Sequence, residues 1–330
     1  MATFLYFKLM KFICYTCLYF FSFYHLQAQY VRIKDSVSGE PIPFGTVSFG
    51  NGNGLFADDE GVFYYTEKLY PDVDSLYISS IGYKDKKMSS QPIPTSITLI
   101  PDVSQLDEVI VTTRKEGKYK TQKVPPYVHD NYFRCWLPTV DSEVAVLMTK
   151  PTPQSTRLAS LLIPIKHEAS KSNPKKNAAF SSLFKVQFYA NTDGQPGDRL
   201  PYQDIIFRIT EKDKPPYTLN IEKHQVFVPD EGLFVAIQVL GYTDTEGKLQ
   251  NAKRYHEVKT KKGIVKISTT YRPLLPFTDK INPNRTFTRR IFFKNRTWQK
   301  FDSTYSTNNN LIRTQHTNYG LGGILHVFRE

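Results

Sequence analysis

Val31-Arg32-Ile33-Lys34-Asp35-Ser36-Val37-Ser38-Gly39-Glu40-Pro41-Ile42-Pro43-Phe44-Gly45-Thr46-Val47 is the stretch whose reading decides the fold class. Its first four residues alternate apolar and charged, the period of a strand with one face buried and the other in water. Ser38-Gly39-Glu40-Pro41 then breaks the run with turn chemistry, since glycine accepts positive φ and proline ends a ladder. Thr46-Val47 opens a second β-branched run. Working outward, the same unit recurs: strands are predicted at 30–34, 46–49, 62–66, 75–79, 83–87, 96–100 and 108–112. Asn51-Gly52-Asn53-Gly54 and Asp58-Asp59-Glu60-Gly61 supply further turns between them. Seven short strands at this spacing predict a β-sandwich, and the want of crossover helices excludes a parallel α/β fold.

Three blocks of this region resemble carboxypeptidase regulatory-like domains: the quoted opening, Ala57-Asp58-Asp59-Glu60-Gly61-Val62-Phe63, and Leu76-Tyr77-Ile78-Ser79-Ser80-Ile81-Gly82-Tyr83-Lys84. They occur in order across 30–113. The resemblance implies a transthyretin-like sandwich, a structural or recognition module without catalytic residues. Leu106-Asp107-Glu108-Val109-Ile110-Val111-Thr112-Thr113 is similar to the segment that joins such a domain to the TonB-engaging plug of starch-utilisation-type outer-membrane receptors. Too few residues follow for a barrel of that size. The alternation of Val109 and Val111 also fits a last strand closing the sandwich, which is the reading adopted.

Residues 1–28 carry Lys8 and Lys11, no acid, and an apolar run of about a dozen residues before Ala28, too short for the roughly 20 of a membrane span. The pattern is that of a cleavable secretory signal, which predicts an exported chain beginning at Gln29. An uncleaved anchor is the alternative. Cys14 and Cys17 belong to this stretch, so Cys135 has no partner for an internal disulfide and is expected to act as a small buried apolar group.

Charge divides the rest of the chain. Residues 29–113 hold 6 Lys/Arg against 12 Asp/Glu, while 114–330 hold 35 against 19, a net of +16. Such asymmetry predicts two folded units with different surfaces. Residues 114–126 are charged and end in Pro125-Pro126, which reads as a linker. Beyond them, strands are predicted at 143–148, 158–166, 183–189, 204–210, 217–221, 233–239, 263–269, 289–294 and 324–329. These would form a larger, jelly-roll-like sandwich over 127–330. The blocks Phe184-Lys185-Val186-Gln187-Phe188-Tyr189-Ala190-Asn191 and Gly194-Gln195-Pro196-Gly197 resemble a hairpin of exported two-domain proteins of this architecture.

Motifs for chemistry are absent from the sequence. There is no His-Glu-x-x-His or His-x-x-Glu, no Gly-x-Ser-x-Gly, no Walker loop and no dinucleotide glycine pattern, so no catalytic, cofactor or metal residue is assigned. Asn191-Thr192-Asp193-Gly194-Gln195-Pro196-Gly197-Asp198 lacks the spacing of a calcium loop and reads as a turn. The densest cationic stretch runs from Arg285 to Lys300 and interleaves arginine with aromatics. Arg289, Arg290, Lys294, Arg296 and Trp298 are the candidate polyanion-binding residues, for acidic glycan or lipopolysaccharide rather than nucleic acid. The alternative is a strand with Phe and Trp inward and cations in water.

The expectation is therefore an all-β chain: a signal at 1–28, a seven-stranded sandwich at 29–113, a linker at 114–126 and a second sandwich at 127–330. It is exported to the periplasm, outer membrane or cell surface, with no transmembrane segment after signal cleavage. It is expected to be a non-catalytic binding or structural module whose partner is an envelope protein or an acidic glycan. A glycan-binding accessory to uptake or adhesion, and an enzyme with an unmarked site, are the alternatives.

Overall fold

The computed structural model describes residues 29–102, 117–251, 253–261, 263–293 and 295–329. The chain is all-β, with a single α-helical turn, Asn310–Arg313, among the described residues. The expected signal and the 106–113 segment, with its closing strand, lie outside the described residues.

The first unit has seven strands: β1 (Gln29–Asp35), β2 (Thr46–Ser48), β3 (Gly54–Phe56), β4 (Val62–Tyr65), β5 (Ser75–Ser79), β6 (Lys86–Ser89) and β7 (Ser96–Leu99). They make a three-stranded sheet, β4-β1-β7, and a four-stranded sheet, β3-β2-β5-β6. Val31 and Ile33 of β1 pack with Val47 of β2, Leu76 and Ile78 of β5, and Ile97 and Leu99 of β7 in one core. The alternation read in the opening stretch is thus the inner face of one sheet. One expected strand moves: 83–87 gives way to β6 at 86–89, because Tyr83 turns aside to donate its hydroxyl to Asp35 Oδ2 at 2.8 Å. β3 was read as turn, since its three residues follow a Gly/Asn cluster too closely to show an alternation.

The second unit holds β8 (Tyr119–Val124), β9 (Cys135–Trp136), β10 (Ser142–Met148), β11 (Thr156–Ile163), β12 (Ser181–Thr192), β13 (Gln195–Arg199), β14 (Ile205–Thr210), β15 (Tyr217–Asn220), β16 (Phe227–Val228), β17 (Leu233–Tyr242), β18 (Tyr255–Thr260), β19 (Gly263–Ser268), β20 (Leu275–Thr278), β21 (Thr286–Arg290), β22 (Gln299–Lys300), β23 (Asn318–Tyr319) and β24 (Gly322–Phe328). A sheet in the order β13-β12-β17-β10-β21-β22, with β14 also on β12, faces a sheet in the order β15-β11-β24-β8, with β16 on β11. Between them Phe184, Val186 and Phe188 of β12 meet Leu158 and Leu161 of β11 and Leu325 of β24.

Two expectations are corrected here. Residues 119–124 are not linker: β8 runs antiparallel to β24, from Tyr119 opposite Phe328 to Val124 opposite Gly323. As an edge strand it is held by backbone pairing, and edge strands are characteristically charged, which is what made it read as linker. The strand expected at 289–294 is β21 at Thr286–Arg290, because the chain turns at 291–293 to bury Ile291 and Phe292.

That turn joins the two units. Ser48 Oγ donates to the carbonyl of Phe292 at 2.7 Å, and Gly52 N donates to the same oxygen at 3.3 Å. The Phe292 ring lies 5.6 Å from that of Phe56. Gly54 permits this approach, since a Cβ there would stand 2.5 Å from Phe292 Cδ1. A second contact is made by the β18–β19 hairpin: Tyr255 donates its hydroxyl to Asp72 Oδ1 at 3.0 Å, and Lys266 pairs with the same carboxylate.

Candidate functional site

Polar residues stand inside otherwise apolar strands of the larger sheet, and the register lines them up. Lys185 of β12 lies opposite Gln238 of β17, Gln238 opposite Glu143 of β10, and Glu143 opposite Arg289 of β21. The result is one row across four neighbouring strands, on the face turned away from the sandwich core. Gln187 and Tyr189, two and four residues on from Lys185, share that face because strand side chains alternate.

The row is tied together by hydrogen bonds. Arg289 Nε donates to Glu143 Oε2 at 2.7 Å, and its Nη2 donates to the Tyr189 hydroxyl at 2.5 Å. The Tyr189 hydroxyl has Glu143 Oε1 at 3.3 Å and Gln187 Oε1 at 3.2 Å for its single proton. Gln187 Nε2 donates to Asp204 Oδ1 at 3.0 Å, and Arg199 pairs with the same carboxylate. Lys185 Nζ is 3.9 Å from Asp204 Oδ2 and 5.3 Å from the Phe56 ring centre, so the first unit covers it. Burial pushes the Lys185 amine below its ordinary value, against the pull of Asp204 and Glu143. Burial likewise pushes the Tyr189 hydroxyl up, with Glu143 adding to it.

Above this row opens a cleft of about 460 Å³ between the two units. The first unit lines it with Thr46, Ser79, Ser80 and Tyr83 among others, and the second with the row itself. Its charged walls are balanced: Lys185, Arg199, Arg289 and Arg296 against Asp85, Glu143, Asp198 and Asp204. A cleft without excess charge and rich in amide, hydroxyl and guanidinium groups suits a polar ligand that is itself uncharged.

The candidate polyanion residues do not form an outward row of unpaired cations. The Arg289 guanidinium lies against two adjoining rings, 4.3 Å from Trp298 and 4.9 Å from Tyr189, with Glu143 beside it. Arg290 pairs with Asp141, whose side chain is buried. Arg296 reaches back to the first unit, 4.0 Å from Asp85 and 3.4 Å from Ser79 Oγ. Trp298 packs edge-on against Tyr189. Lys294 lies outside the described residues. Arg289 and Arg296 therefore belong to the cleft, Trp298 supports Arg289 from the side, and Arg290 stands apart.

Other sequence candidates resolve locally. Asp193 (φ 51°) and Gly194 (φ 79°) make the tight turn joining β12 to β13, and Asn191 Oδ1 accepts from Gly194 N at 3.0 Å. Among the described residues no three His, Cys, Asp or Glu converge as a metal site. Cys135 is buried, its thiol pushed up to about 12 by burial and donating to Asn131 O at 3.3 Å. No helix among them is long and apolar enough to cross a membrane. Lys185, Gln187, Glu143, Gln238, Asp204 and Arg199 carry little signal in the sequence: Lys185 and Gln187 alternate with apolar residues in β12, Glu143 and Gln238 interrupt largely apolar strands, and Asp204 and Arg199 lie in polar stretches.

No family model, curated protein or solved structure matches this chain.

Proposed function

We propose that the chain is a non-catalytic, exported binding module of the cell envelope that holds an uncharged polar ligand, a short run of neutral glycan, in the cleft between its two β units. The observation that carries this reading is the in-register row Lys185–Gln238–Glu143–Arg289, roofed by the first unit and matched in charge. Sugars are recognised by planar polar side chains that donate and accept in fixed directions, and Gln187, Asp204, Arg199 and Arg289 supply both kinds. The volume falls within the roughly 300–1,000 Å³ usual for small-ligand clefts.

Export is supported by the basic, then apolar, then small-residue order of 1–28. The resemblance of the first unit to carboxypeptidase regulatory-like domains is supported by its two sheets of three and four strands. Balanced cleft charge favours neutral glycan over the acidic glycan or lipopolysaccharide expected from composition.

The test is titration calorimetry of the chain with neutral and acidic oligosaccharides at low and moderate salt, repeated with Gln187→Leu. Binding of a neutral oligosaccharide, indifferent to salt and lost in Gln187→Leu, is the expected result. Binding restricted to acidic sugars and falling steeply with salt would replace this reading with the polyanion one. If neither class binds, the cleft is only an interface, and the chain is a structural module.

A further inference from the structure

The β18–β19 hairpin stands apart from both sandwiches: its two strands pair only with each other. Its base is fixed to the first unit by Asp72, which takes both Tyr255 and Lys266. Beyond that clamp residues 256–261 and 263–265 are exposed. Register places Val258 opposite Val265 and His256 opposite Ile267, on the face away from Tyr255. Ile264, opposite Lys259, lies on the other face near the tip. These four apolar side chains are open to solvent, Val258 at 39%, Ile264 at 68%, Val265 at 45% and Ile267 at 46%. Single exposed apolar residues need no explanation, but four on one two-stranded element mark a surface meant to be covered. The segment 255–268 carries four lysines against one glutamate, and Lys259 and Lys261 at the tip are exposed.

We propose that this hairpin docks the protein on an anionic lipid surface, its tip entering the interfacial layer while Lys259 and Lys261 meet lipid headgroups. Two features select lipid over a protein partner. Apolar groups occupy both faces of the tip, and a lipid interface surrounds a tip on both sides where a protein partner covers one. The flanking cations complement anionic headgroups, whereas a second copy would bring like charges together. Such docking draws on buried apolar area together with headgroup attraction. It is independent of the cleft, which the hairpin does not line.

The test uses the chain from Gln29, after the expected signal, with phosphatidylcholine vesicles, with and without added phosphatidylglycerol, read by co-sedimentation. Anionic vesicles should capture the parent well above neutral ones. Lys259→Gln with Lys261→Gln should weaken capture by about 25-fold, each lysine being worth about fivefold at such a surface. Ile264→Ser with Ile267→Ser should lose it with an unchanged thermal melt. Ile264→Trp should show a blue-shifted emission on binding. Equal capture by both vesicles, or variants that bind like the parent, would overturn the proposal. So would a parent that self-associates without lipid while Ile264→Ser with Ile267→Ser is monomeric, which assigns the face to a second copy.

Discussion

Arg289 and Glu143, 146 residues apart in the chain, sit opposite each other on neighbouring strands, with the Glu143 carboxylate only 1% exposed and the guanidinium closing over it. A buried carboxylate of this kind is tolerable only while its partner stays.

Arg289→Met should therefore cost about 3–5 kcal/mol in urea unfolding, because it strands Glu143. Adding Glu143→Leu should recover much of that loss, since the double variant no longer strands the Glu143 carboxylate. A double variant no more stable than Arg289→Met would mean that the contacts of the guanidinium with the Tyr189 and Trp298 rings, rather than the ion pair, hold this face together.

The hydroxyls of Tyr70 and Tyr255 are pushed up to about 12, chiefly by burial. In the unfolded chain they ionise near pH 10. Between those values the unfolded state binds fewer protons than the folded one, so stability falls as pH rises from about 10 to 12. Tyr70→Phe should make that fall shallower by up to about 1.4 kcal/mol per pH unit. Unfolding curves at stepped alkaline pH measure it, and identical slopes would contradict the assignment.

Asp72→Ala removes the clamp at the base of the β18–β19 hairpin. Global stability should change by no more than about 1 kcal/mol, as for other partly exposed pairs. Amide exchange across 255–268 should nonetheless quicken, and trypsin should cut sooner at Lys259 and Lys261.

Gly54→Ala should cost about 1–3 kcal/mol, the usual penalty of forcing a methyl into a filled space, because Phe292 and the Val47 carbonyl occupy its place. Calorimetry should show the loss, and a melt split into two steps would locate the damage at the junction of the units.

Cys135, buried and held protonated at neutral pH, should resist a thiol reagent until the chain unfolds. Rapid labelling of the native protein would show that the 132–136 segment opens readily.

Strand character was legible wherever apolar residues alternate with polar ones: the opening stretch, with one wet face, and Phe184-Lys185-Val186-Gln187-Phe188-Tyr189, whose polar face lies under the first unit, show it plainly. β8 was not legible, because an edge strand with nearly every side chain in water carries no apolar period. β3 and β9 are too short to have one. The cleft was hidden for a different reason. Its residues come from 46, 79, 143, 185, 204, 238 and 289, and only sheet order brings them together. Sequence could show that Lys185 and Gln238 shared the sign of an outward face, but not that they were neighbours. The ion pairs of the cationic stretch were not legible because arginine density says nothing of partners, and Glu143, Asp141 and Asp85 lie far from it in the chain.

The pairing of β8 with β24 also imposes an order of events. The first strand of the second unit is partnered by the last strand described, about 200 residues later. A chain emerging end-first from a ribosome or threaded through a membrane pore can complete its first sandwich early, yet the five-stranded sheet stays open until β24 arrives. Until then the edge of β11 that β24 will occupy is bare, in a long and strongly apolar strand. Such an edge invites pairing with the wrong chain. A protein built this way depends on the prompt arrival of β24, or on a holding factor at the exit, more than its finished stability would suggest.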